Sequence, residues 1–274
     1  MYETKYKISK ENIHAEDISK FKAFVTGSDQ VWNPFYINGS SLYFLTFAIK
    51  EKRISYAASF GISSIPDIYK ASYKKYLSEM NYLSVREEQG AKIIKDITSR
   101  NAQVVLDPTM LLTRENWREI SKASNEKPKI PYLLTYFLGN VPQDTLTRIE
   151  EIANERKLKI VNLASLKDTK YYSADPGEFI DFIDSADVFC TDSFHGVVFS
   201  ILLETPFIVF ERQGKLPSMN SRIETLLSKF KFSSRVAKNI TSINQIYNID
   251  YSHVDEILSS ERDKSYTYLK ESLK

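Results

Sequence analysis

The sequence predicts an α/β protein with parallel sheets, built as two halves on either side of a polar linker. Three observations predict it. Short apolar runs alternate with longer amphipathic ones, the pattern of strands crossing over through helices. That series occurs twice, before and after "NEKPKIP" (125–131), a polar stretch with two prolines. The length, 274 residues, suffices for one large domain or two of ordinary size, with a buried core.

The elements follow in order. "FKAFVTG" (21–27) reads as a strand ending at Gly27, and "RISYAASFG" (53–61) as a second that narrows to small residues. "SIPDIYKASYKKYLSEM" reads as a helix, "YLSVR" (82–86) as a short strand and "EEQGAKIIKDI" as the helix after it. "AQVVLDPTMLL" is a strand that stops at Asp107-Pro108. Beyond the linker, the strands "PYLLTYFLG", "KIVNLAS", "DVFCTD" and "PFIVFE" alternate with the helices "QDTLTRIEEIANERK", "PGEFIDFIDSA" and "SFHGVVFSILLE". The expected divisions are an N-terminal domain over 1–127, a C-terminal domain over 128–260 and a C-terminal helix over 261–274 that packs back on the first domain. The apolar positions 266, 269 and 273 fit one face of that helix. Ligands of parallel sheets bind beyond the carboxyl ends of the strands, so chemistry is expected at those seams, in a cleft between the halves.

Composition narrows the function classes. Hydrophobic residues at 42% and charged residues at 26% are those of a soluble globular protein. A net charge of +2, from 37 basic and 35 acidic side chains, gives no reason to expect nucleic acid as a partner. One cysteine excludes an internal disulfide and a cysteine-cluster metal site, and fits a cytoplasmic location. No apolar run approaches the roughly 20 residues of a membrane span, and the first 20 residues lack the apolar core of a secretory signal. Aromatic residues are frequent, with 17 Tyr and 16 Phe. Core packing and surface tyrosines are the common explanation; a stacking surface for sugars or bases is the sharper one.

The seam "CTDSFHG" (190–196) holds one of three histidines and the single cysteine. Asp192 or Ser193 is positioned to cap the following helix, which puts His195 and Gly196 in its first turn. Amide N–H groups and the helix dipole there favour an anion, and Gly196 allows close approach to the backbone. The dipole disfavours a charged imidazole until an anion binds, after which His195 is suited to act as a general acid. The competing reading is a capped turn whose histidine satisfies a backbone group. Arg212, Lys215 and Arg222 follow in a loop placed to close over such an anion, or else are ordinary solvated charges.

"FVTGSDQVWNP" (24–34), "ISYAASFG" (54–61), "YLSVREEQGAKII" (82–94), "VVLDPTMLL" (104–112) and "EFIDFIDSADVFCTDSFHGVVFSILLETPFIVF" (178–210) together resemble the polysaccharide pyruvyl transferase family in order and spacing. The resemblance implies two Rossmann-like halves of the GT-B kind. It also implies transfer of the enolpyruvyl carbon of phosphoenolpyruvate to two sugar hydroxyls, with a cyclic ketal formed and phosphate released. The acceptor would be a lipid-linked or oligosaccharide precursor of a surface polymer, and phosphoenolpyruvate a co-substrate, with no cofactor and no metal. By the family's pattern His195 is the acid, and Arg86 and Lys215 bind the donor's phosphate and carboxylate. Arginine grips such groups with two parallel hydrogen bonds, and lysine supplies a point charge. Ser193 stands where other branches carry an arginine, next to Gly196 in the donor site. The chain also opens where family members are already inside their first domain, so the first half is expected to lack an initial strand, loop and helix.

The remaining motif residues carry two readings each. Gly27 and Ser28 end a strand and border the expected cleft. Asp29 and Asp192 are candidate bases or helix caps. Gln30 and Asn33 bond sugar hydroxyls or satisfy a turn, Trp32 stacks on a sugar or lies in the core, and Ser59 and Gly61 line the cleft or pack densely. Two other functions compete with pyruvyl transfer. One is a GT-B glycosyltransferase using a nucleotide sugar, with Glu204 or Glu211 on the ribose. The other is an inactive remnant or binding partner. An oligomer is compatible with all three.

Overall fold

The computed structural model describes residues 19–166, 169–213 and 221–274. Parallel strands alternate with helices, and the described residues cluster into two compact units, one reaching Asp107 and including Glu261–Lys274, the other Pro108–Ser260.

In the first unit β1 (Phe24–Thr26) pairs in parallel with β2 (Arg53–Ser55), and β3 (Ser84–Val85) with β4 (Gln103–Val104). Single parallel bridges, Ile54 to Tyr82 and Ala58 to Val85, join the two pairs. Helix α1 (Asp67–Ser78) buries Tyr73 and Leu77, and α2 (Glu88–Thr98) buries Gly90, Ile93 and Ile94 on one stripe. These side chains meet Trp32, Phe44 and Phe60 in one apolar cluster. Trp32 is fully buried and stacks on Phe44 with ring centres 5.4 Å apart. Its indole N–H donates to the Tyr43 carbonyl at 3.1 Å, which meets the requirement of a buried polar tip. Trp32 is therefore a core residue and presents no face to a sugar.

The second unit opens with α3 (Arg114–Ile120), capped by Thr113 in a reciprocal box with Asn116. Its four-stranded parallel sheet has the order β6-β5-β7-β8, from β5 (Tyr132–Tyr136), β6 (Lys159–Asn162), β7 (Val188–Thr191) and β8 (Phe207–Val209). Every residue of β7 and β8 is buried, as expected of parallel strands covered on both faces. Helix α4 (Gln143–Arg156) carries the chain from β5 to β6. Helix α5 (Pro176–Asp184) follows a box of Asp175 and Glu178 with proline in its first turn. Helix α6 (Phe194–Leu203), between β7 and β8, buries every residue except His195. Helix α7 (Ser221–Lys229) comes next. The chain leaves β5 to one side for β6 and then returns to the other side for β7. The carboxyl ends of β5 and β7 thus flank the point where strand order reverses, the usual ligand position in such sheets.

Two expectations need revision. The segment 125–131 lies inside the second unit rather than between units. The Lys127 ammonium donates to Asp181 at 2.6 Å and to Ser185 at 2.8 Å, and the Ser124 amide donates to Asp181, tying the stretch to α5. In helix α8 (Val254–Ser272) the buried positions are Val254, Leu258, Glu261, Ser265, Tyr268 and Ser272, whereas Tyr266 and Leu273 are exposed. Hydrogen bonding, as well as apolarity, selects this face. The Leu106 amide donates to Ser265 Oγ at 3.0 Å, and the Tyr268 hydroxyl donates to the Ser55 carbonyl at 2.7 Å. Backbone groups at the sheet need partners once buried, and Ser and Tyr supply them.

Candidate active site

At the reversal point, Thr191 ends β7 and its hydroxyl donates to the Tyr136 carbonyl at 2.6 Å, binding the ends of β7 and β5 together. Ser193 caps α6, its Oγ accepting from the Gly196 amide at 3.2 Å. Asp192 does not cap. Its carboxylate accepts from the Leu138 amide at 2.7 Å and the Gly139 amide at 2.9 Å. Arg212 Nε adds a bond at 3.2 Å, and Arg212 Nη2 donates to the Asp192 carbonyl at 3.0 Å. This buried carboxylate is a clamp joining the loop after β5 to the segment after β8. A Cβ on Gly139 would fall 2.6 Å from the Gln213 carbonyl oxygen, so the clamp closes only around glycine. At Gly196 a Cβ would meet Thr191 Oγ1 at 2.8 Å and the Phe189 ring at 3.1 Å. That glycine is explained by seating α6 on β7 rather than by approach of a ligand.

His195 is the half-buried member of this otherwise buried turn. Its ring edges a cavity of about 730 Å³ that Ser193, Tyr136, Tyr172, Phe179 and Phe199 also line. Burial, and then the nearby Asp192 carboxylate, hold the Tyr136 phenol above its ordinary pKa. Arg222 is buried, with its guanidinium 5.6 Å over the Phe194 ring, and so reaches the first turn of α6. Lys215 lies outside the described residues. Cys190 is buried and its thiol is pushed up to about 12 by burial, so the one cysteine packs and does not react.

The seams of the first unit form a second polar cluster. Arg86, at the end of β3, is buried and donates to Asp107 at 2.6 Å and to Asp29 at 3.1 Å. The Asp107 side chain is 1% exposed and that of Asp29 is 74% exposed. Glu87 is fully buried and accepts from Ser59 Oγ at 3.0 Å and the Phe60 amide at 2.9 Å. Ser59 therefore faces Glu87. Gln30 Oε1 accepts from Asn33 at 2.8 Å, and Asn33, not Asp29, caps the short helix that follows. Gly27 is exposed and Ser28 half-buried just after β1.

The structure thus brings Ser193, His195, Gly196, Asp192, Arg212 and Arg222 together in the second unit, and Asp29, Ser59 and Arg86 together in the first. The residues that sequence reasoning missed are Glu87 and the aromatic wall beside His195. An acidic residue directly after Arg86 at a strand end was the legible signal for Glu87. The tyrosine-rich composition signalled the wall, without its place. Glu204 pairs with Arg114 and Glu211 with Lys238. Among the described residues, no group of three or more His, Cys, Asp or Glu could hold a metal ion, and no helix is long and apolar enough to cross a membrane.

No curated protein matches the chain. The family model described as polysaccharide pyruvyl transferase matches residues 1–214, which take in both polar clusters up to Gln213, and the chain belongs to that family.

Proposed function

We propose that the protein transfers a pyruvyl group from phosphoenolpyruvate to two hydroxyls of a sugar in a polysaccharide precursor, with its two α/β units as the halves of a GT-B-like enzyme. The acceptor is an oligosaccharide, free or lipid-linked, on the cytoplasmic side of the membrane. The observation that carries this reading is the position of His195. By resemblance it stands in the family's histidine-glycine pair; it sits in the first turn of α6 and lines a large cavity.

In this reading the donor's anionic groups lie near the start of α6, where the dipole favours them. Arg222 and Lys215 supply positive charge there, and Arg86 is a separate candidate anion contact within the first unit. An anion beside the imidazole favours its protonated form. His195 then gives its proton to the methylene carbon of the donor, which becomes a methyl group. The adjoining carbon becomes an oxocarbenium-like centre, and a sugar hydroxyl adds to it and loses its proton. The C–O bond to phosphate breaks with its electron pair going to phosphate, and a second hydroxyl adds and closes the ketal. Of the two hydroxyl protons, one replaces the proton that His195 placed on carbon and the other goes to the departing phosphate.

The test is phosphate release from phosphoenolpyruvate with and without an acceptor extract of cell-surface oligosaccharide. Release should require acceptor and should fall by about 10²–10⁴-fold in His195→Ala, the usual worth of a positioned acid. Unchanged turnover in a folded His195→Ala protein removes the acid assignment. Thermal-shift titration should show stabilisation by phosphoenolpyruvate and not by a panel of nucleotide sugars. The reverse result moves the protein to glycosyl transfer.

A further inference from the structure

The cavity beside His195 has a wall that a three-carbon dianion does not need. Tyr136 and Phe179 meet edge to face at 5.1 Å, and Phe179 meets Phe199 in the same way at 6.2 Å. These rings form a packed ladder on one side of the cavity. Tyr172 completes the lining and differs from them in being 52% exposed. Among the described residues, no lysine or arginine lines this cavity. Its polar side chains among the described residues are Ser193, His195, the two tyrosines, and Asp175 at the rim. Asp175 accepts from Lys122 at 2.9 Å and from the Glu178 amide at 2.9 Å, bonds that hold its carboxyl below the ordinary range and keep it ionised.

Volume and lining point the same way. At about 730 Å³ the cavity is in the range of sites for ligands much larger than the donor. A dianion is recognised by cations, and this wall offers aromatic faces and a carboxylate. A pyranose ring has the complementary chemistry: one face of polarised C–H bonds that lies on an aromatic ring, and an edge of hydroxyls that donate to a carboxylate. An exposed tyrosine beside half-buried and buried aromatic neighbours gives a platform with one polar end.

We infer that this wall is a pyranose subsite, with Tyr172 as the stacking residue that determines acceptor specificity and Asp175 as an acceptor of ring hydroxyls. It places a sugar ring against the imidazole of His195. The identity of that ring as the pyruvyl acceptor rests on the proposed function; the existence of the subsite does not.

Saturation-transfer NMR with methyl glucopyranosides, galactopyranosides and mannopyranosides tests the subsite directly, on the full chain. At least one glycoside should saturate the wild type. Tyr172→Ala should weaken it by about tenfold, and Tyr172→Phe should hold it within about twofold, because the ring rather than the hydroxyl stacks. Tyr172 is exposed, so circular dichroism should report an unchanged fold, and thermal-shift binding of phosphoenolpyruvate should be equal in all three proteins. The inference is overturned if no glycoside saturates the wild type, or if Tyr172→Ala binds as tightly as the wild type. Glycoside binding that depends on Tyr172, in a protein that phosphoenolpyruvate does not stabilise, supports the subsite and sinks the donor assignment instead.

Discussion

At the end of β3 a buried arginine is held between two carboxylates; at the end of β7 a half-buried histidine edges a cavity of about 730 Å³. Both residues follow short parallel strands, and both lie where such sheets present chemistry. In the first unit the polar groups bond to one another: Arg86 to Asp107 and Asp29, Glu87 to Ser59 and the Phe60 amide. In the second unit Asp192 is paired with Arg212, while His195 lines the cavity. A closed network holds strand ends in place. The Asp192 clamp also holds strand ends in place, and it stands beside a half-buried histidine at a cavity edge.

The largest test of this contrast is Arg86→Ala. Removing the guanidinium leaves the Asp107 carboxylate buried without its 2.6 Å partner, a change that costs about 3–5 kcal/mol in buried pairs. The urea midpoint should fall accordingly, with the slope of the transition unchanged. Asp29→Asn is the internal control. Its side chain is mostly exposed, and losing an exposed ion pair costs about 0–1 kcal/mol. Equal losses from the two variants would show that the network is not closed around Asp107, and the contrast between the units would fail.

Asp192→Asn comes next in size. The substitution keeps the shape but replaces one acceptor oxygen with an NH₂ group, which then faces an amide or guanidinium donor. With charge-assisted bonds worth about 1.5–3 kcal/mol each, a net loss of about 2–3 kcal/mol is expected. If Asp192 acted as a catalytic base instead, the variant would keep wild-type stability and lose only turnover. Measuring both quantities on one preparation separates a clamp from a base.

These variants also show what the sequence could and could not disclose. Alternation of apolar runs places all eight described strands, because each run is short and ended by small or polar residues. The turn bearing His195 was legible from a serine three residues before a glycine at the start of an apolar helix. The roles of Asp192 and Asp29 were not. A carboxylate next to a helix start reads as a cap, and only the fold reveals that amides from the loop after β5 lie within 3 Å of Asp192. The face of α8 was misjudged for a related reason. Periodicity counts apolar side chains, while Ser265 and Tyr268 are buried by the hydrogen bonds they make to distant strands. Trp32 shows the opposite case: the sequence left it between a sugar platform and the core, and its size and apolarity put it in the core.

The smallest effect belongs to Asp175, which connects the two kinds of region because it both caps α5 and stands at the cavity rim. Its carboxyl is held below its ordinary value of 3.8, first by Lys122 and then by the Glu178 amide. A carboxyl with a lowered folded pKa binds its proton more readily in the unfolded chain. Its contribution to stability is therefore complete above the unfolded value and is lost as pH falls through the folded one. Asp175→Asn keeps a capping oxygen and removes only the charge. The melting temperatures of wild type and variant should differ slightly at neutral pH and converge as pH falls below 3.8. The charged contact is exposed, so added salt should narrow the neutral-pH gap as well. A gap that persists unchanged at acid pH would place the effect in the geometry of the cap rather than in the charge, and Asp175 would lose its standing as an ionised acceptor at the cavity rim.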